Sequence, residues 1–161
     1  MGTAREVMMY KQILVAIDGS RSGRRALDEA VKIAKATGGH VQALCVVQHP
    51  ARLADVGAAY AEELSHDPNA NNAATLALDE AKTVFAQAGV SGSTRAADAV
   101  GEDIAGVIYR IAAEDDAELV VMGTRGLSGM KRLLLGSVAE AFLRIADRPV
   151  MLVRNAEETG A

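Results

Sequence analysis

The chain has 161 residues, half of them apolar, 24% charged and only 3% aromatic, with a formal net charge of −4. That length suits one domain burying about 70% of its unfolded surface, with a core of Val, Ile, Leu and Ala rather than aromatic rings. The acidic balance argues against a nucleic-acid or anionic-lipid partner, the single cysteine excludes an intrachain disulfide, and no window approaches the roughly 18 apolar residues of a membrane span.

The first residues lack the apolar segment of a signal peptide, so a cytoplasmic location is expected. Residues 1–8 and 155–161 are read as flexible tails around a single domain over 9–154. The run QILVAI (12–17) is apolar and β-branched throughout, the pattern of a strand covered on both faces, and it stops at DGS. In RSGRRALDEAVKIAKATGG, Leu27, Ala30, Val31 and Ala34 fall at helical spacing and Gly38-Gly39 supply the stop. HVQALCVVQ (40–48) predicts a second strand, with Cys45 as a small buried hydrophobe. The connection over 48–72 holds Pro50, Pro68 and NANN, and a loop of that length is often functional; RLADVGAAYAEEL within it is read as a short helix.

Ala77, Ala81, Val84, Phe85 and Ala88 place a helix over 73–88, closed by Gly89. STRAADA (93–99) is read as a strand. A third helical stripe follows in Ile104, Val107, Ile108 and Ile111, then a buried strand in LVVM (119–122). Val138, Ala141, Phe142 and Ile145 form a fourth stripe, and PVMLVR (149–154) the last strand. Alternating strands and helices predict an α/β fold, a five-stranded parallel sheet between two helical layers.

Ligands of such sheets sit outside the carboxyl ends of the strands. Two turns there stand out, AIDGS after the first strand and VVMGTRG after the fourth, and they line one crevice if those strands are neighbours. A phosphate needs converging backbone N–H groups with no Cβ in the way and the positive end of a helix. Gly123, Gly126 and Gly136 with Ser137 supply that combination. Ser137 also reads as an ordinary helix cap, answered by Glu140 in the capping box SVAE. Asp18 reads either as turn chemistry before Gly19 or as a ligand contact. Arg125, Lys131 and Arg132 are either phosphate partners or solvated charges, and LLL (133–135) is buried under the loop or meets a partner.

Other sites find little support. There is no G-x-G-x-x-G after a strand and no Walker loop. His40, His49 and His66 lack metal-ligand spacing, and GLSG and GVSG fall short of G-x-S-x-G. No general base or activated nucleophile is identifiable. The residues alone lead to an anion or nucleotide site.

Gly123-x-x-Gly126, nine residues, then Gly136-Ser137 matches the G-2x-G-9x-G-(S/T) motif of the universal stress protein family. ILVAIDGS, ELVVMGTRGLSG, LLLGSVAE and RPVMLVR also resemble that family, so the likeness spans residues 9–154. It implies a flavodoxin-like, Rossmann-like fold with strand order 3-2-1-4-5, a homodimer formed through the last strand, and membership of the ATP-binding subgroup. By that resemblance Asp18 faces the ribose, the backbone of Val46 meets the adenine, and Met122 and Gly123 flank the nucleoside. Gly126, Gly136, Ser137 and Val138 wrap the phosphates. Apart from the resemblance, ATP is expected with Mg²⁺, which favours oxygen ligands from carboxylate and substrate, so that Asp18 could help place it beside the phosphates. An ATP-binding stress-response regulator with a protein client is therefore expected. A slow ATP hydrolase or phosphotransferase, or an interaction module with a vestigial site, are the alternatives.

Overall fold

In the computed structural model the described residues are 9–48, 68–125 and 135–155. Five strands alternate with four helices: β1 Gln12–Ala16, α1 Arg21–Thr37, β2 His40–Gln48, α2 Pro68–Ala88, β3 Ser91–Ala99, α3 Ile104–Glu114, β4 Leu119–Gly123, α4 Ser137–Ile145 and β5 Val150–Val153. Every strand pairing is parallel and the order is β3-β2-β1-β4-β5. β1 and β4 are thus neighbours, Ala16 lying in register with Met122 on one side and with Leu44 of β2 on the other.

Apolar residues run unbroken through β1 because both of its faces are covered. Ile13 and Val15 pack with Val41, Ala43 and the buried stripes of α1 and α2, whereas Leu14 packs with Leu44, Val120 and the stripes of α3 and α4. The three layers expected from the alternation are present.

The helix ends follow local chemistry. Ser20 caps α1, its side chain accepting from the Gly23 N–H at 3.1 Å, and Gly38 closes it in the left-handed conformation at φ 69°. Asp103 caps α3 in the same way, accepting from the Gly106 N–H at 2.8 Å. Helix α2 begins at Pro68, earlier than the stripe alone indicated, so NANN is helical rather than loop. A proline at the first helical position lacks only an N–H that would find no intrahelical partner there.

β3 starts two residues before the expected strand, at Ser91. It is a polar edge strand, and Gly92 is where α2 crosses it: a Cβ there would stand 2.2 Å from the Phe85 ring. His40 bridges β2 to β3 through Ser91 Oγ at 2.6 Å and Ser93 Oγ at 2.9 Å. In α4, Ala139 and Phe142 are buried but Ile145 is 44% exposed, so the expected apolar stripe ends one turn early.

Arg148 joins the end of α3 to β5. Its Nη1 donates to the Ala112 and Ala117 carbonyls at 2.9 Å each, and its Nε donates to Asp147 at 2.9 Å. The guanidinium lowers the Asp147 carboxyl below its usual range, chiefly by that hydrogen bond. Arg148→Ala leaves two part-buried carbonyls without their charged donor and is expected to cost about 2 kcal/mol, read as a lower midpoint in urea unfolding.

The expected tail over 1–8, residues 156–161 of the expected tail 155–161, residues 49–67 of the connection over 48–72 with its short helix, and residues 126–134 lie outside the described residues. His49, His66, Gly126, Lys131, Arg132 and the first two leucines of LLL fall among them.

Candidate nucleotide site

The carboxyl ends of β2, β1 and β4 lie level with one another, because Leu44, Ala16 and Met122 are register partners. Two residues beyond Ala16 stands Asp18, and two beyond Leu44 stands Val46. Strand alternation keeps Ala16, Val46 and Met122 on the face that carries α3 and α4. A cavity of about 430 Å³ opens at this point, with Asp18, Val46, Met122 and Gly123 along the strand ends and Gly136, Ser137 and Val138 at the start of α4. Seven of the eight residues singled out in the sequence therefore share one cavity, and the eighth, Gly126, lies outside the described residues. The volume falls within the range of small-molecule sites.

Asp18 is the one carboxylate in the described walls. Its Oδ1 accepts from the Ser20 N–H at 2.9 Å, the turn bond that an Asp-Gly pair favours, and Gly19 completes the turn at φ 85°. The turn reading and the lining position hold together. Cys45, also in the wall, has its thiol pushed up to about 11, first by burial and then by the Asp18 charge, so it stays a neutral thiol at ordinary pH.

The start of α4 differs from the expectation. The N-cap is Gly136, at φ −66° and ψ 161°, and it has no side chain with which to cap the helix. Ser137 is already the first helical residue, so its hydroxyl is one position too far along to cap, and the capping box does not form. Glu140 instead pairs with Arg144 at 2.8 Å. The starts of α1 and α3 are each closed by their own cap side chain, whereas α4 has no side-chain cap among the described residues and its first turn borders the cavity.

Gly123 is bare for a different reason from the one its motif suggests. A Cβ on it would lie 2.7 Å from the Ser22 backbone carbon and 2.8 Å from Ser22 Cβ, so the close approach of α1 demands glycine there. Gly123→Val is expected to force the first turn of α1 off β4. The cost is about 2–3 kcal/mol, visible as a lower melting temperature.

Not read from the sequence were the wall that α3 adds to the cavity through Ile104 and Ile108 and the places of Ser20 and Thr124 at the cavity's border. Thr124 is 4% exposed and its hydroxyl has no hydrogen-bond partner among the described residues, while its backbone N–H donates to Val153 at 3.0 Å and its carbonyl accepts from the Gly136 N–H at 2.5 Å. One residue thus joins β4, β5 and the start of α4. Ser-x-Ser at the opening of α1 was the available signal for the α1 side of this arrangement. Arg125 borders the same cavity. Among the described residues, no group of three or more His, Cys, Asp or Glu could hold a metal ion, and no helix is long and apolar enough to cross a membrane.

Residues 9–154 match the sequence profile of the Universal stress protein family. The chain is 36% identical over 155 residues to universal stress protein YxiE of Bacillus subtilis, covering 91% of this chain and 100% of that one. Universal stress protein UspA from Lactobacillus plantarum superposes with a TM-score of 0.76 at 24% identity, covering 91% and 99%. A universal stress protein solved in complex with cAMP superposes with a TM-score of 0.66 at 26% identity, covering 89% and 97%.

Proposed function

This chain belongs to the universal stress protein family, and from that premise we propose that it is an ATP-binding regulatory protein whose nucleotide lies between the turns after β1 and β4. The uncapped start of α4 carries the reading. Its amides meet the cavity with the positive end of the helix, and no side-chain cap satisfies them among the described residues, which is the provision an anion requires.

Val46 and Met122 offer the adenine an apolar wall, and a thioether adapts to a flat ring. Asp18 would meet a ribose hydroxyl and the backbone of Gly136, Ser137 and Val138 the phosphates, with Gly126 added to them on the strength of the glycine spacing alone. Mg²⁺ would arrive on the phosphates, since the described walls offer one carboxylate. The likeness to a family member in complex with cAMP supports an adenine nucleotide as the ligand class.

The partner we propose is a second copy of the chain, docked through β5. That strand ends the sheet with an apolar sequence, and such an edge calls for cover. A cytoplasmic location and an unidentified protein client complete the proposal.

Calorimetric titration of the purified protein with ATP tests the central claim. Saturable binding is expected, weakened at least tenfold in Gly126→Val; equal affinity in that variant, or no binding by the wild type, rejects it. A single-turnover assay with labelled ATP separates binding from hydrolysis.

A further inference from the structure

Ser22 is 3% exposed and sits in the first turn of α1. A buried serine hydroxyl needs a partner, and one inside a helix commonly turns to a carbonyl of the preceding turn. Ser22 reaches out of its helix instead. Its hydroxyl donates to the Arg125 carbonyl, 103 residues away in sequence, at the head of the glycine segment. The Ser20 hydroxyl lies 3.5 Å from the same oxygen while accepting from the Gly23 N–H, and the Ser20 N–H donates to Asp18.

The β1 turn and the β4 turn are thereby joined through the opening of α1. On its other side the β4 turn is tied by Thr124 to Val153 and Gly136. The bare Gly123 fits this arrangement, because a side chain there would occupy the space that Ser22 fills.

We propose that Ser22 is a positioning residue for the polyphosphate. By holding the Arg125 carbonyl it fixes the turn after β4, whose Thr124 carbonyl in turn holds the Gly136 N–H at the start of α4, so that the phosphate end of the nucleotide depends on Ser22 and the nucleoside end does not. Val46 and Met122 stand in or at the end of strands held in register by the sheet, and their position owes nothing to this bond. The inference rests on the ATP reading above and adds to it a residue that lies outside the glycine motif.

The test compares two ligands in two proteins. ATP and adenosine are titrated into the wild type and Ser22→Ala, each protein's melting temperature being recorded alongside. Loss of one hydrogen bond to the turn is expected to weaken ATP about tenfold and adenosine less than twofold. A drop shared equally by both ligands, or no drop in either, overturns the proposal, since a merely structural serine would not separate them. If Ser22→Ala does not fold, Ser22→Cys, a weaker donor of similar shape, carries the same comparison with a smaller but still ATP-selective loss expected. Wild-type protein that binds neither ligand sinks the nucleotide reading and this inference with it. Wild-type binding without the split sinks this inference alone.

Discussion

Truncating Phe142 to alanine is expected to remove about 3–5 kcal/mol of stability, a large share of the roughly 5–15 kcal/mol that holds a domain of this kind together. The ring is fully buried and is the largest such side chain in the described core. It packs with Ile108, Ile111, Val120 and their neighbours, and close packing leaves little slack to refill the hole. α4 has nine residues, of which only Ala139 and Phe142 are buried. A helix that short does not persist in water by itself, so its place on the sheet depends on this ring. Urea unfolding measures the loss, and Phe142→Leu should lose less because part of the volume remains. A cost below about 1 kcal/mol in the alanine variant would show that α4 is held by something else. Because the start of α4 borders the cavity, ATP affinity should fall in Phe142→Ala as well.

The contrast between that ring and its neighbours shows what the sequence could and could not disclose. Leu27, Ala30, Val31 and Ala34 announced α1 because both ends of that helix carry local chemistry and its buried face is a single stripe. β1 and β4 announced themselves as unbroken apolar runs, which only a doubly covered strand can bury. Helix α4 was harder to read, since Ile145 shares the helical spacing of Phe142 yet is 44% exposed, and exposure there depends on where the sheet ends. The polar strand β3 was legible only in part, because an edge strand does not need the apolar signal of a central one.

At the site, the glycine spacing located the cavity, but spacing does not say why each glycine is there. Gly123 answers to a packing contact with Ser22, more than 100 residues earlier in the chain, and no local pattern contains that information. Ser137 illustrates the limit of local rules from the other side. SVAE reads as a capping box in isolation, and its failure to form follows from where the chain enters the helix, one residue earlier at Gly136. The chain ties Thr124 to the Gly136 N–H, which sets that entry point. Tertiary contacts thus leave α4 without a side-chain cap among the described residues, and the proposed function depends on its first-turn amides.

Gly136→Asp turns that dependence into a measurement with two opposite signs. The backbone at Gly136 is ordinary extended structure that any residue adopts, so aspartate need not strain it. Its carboxylate can accept from the first-turn amides as Asp103 does at α3, and it lies favourably in the helix dipole. The fold should therefore keep its melting temperature or gain a few tenths of a kcal/mol. The same carboxylate occupies the amides that the phosphates would use and repels their charge. Losing one or two charge-assisted hydrogen bonds is expected to weaken ATP about a hundredfold, or roughly 2.7 kcal/mol. A variant that merely damaged the protein would lower stability and affinity together, whereas here they part. Retention of full ATP affinity in a stable Gly136→Asp protein would mean that the phosphates are bound elsewhere, and the start of α4 would lose its place in the mechanism.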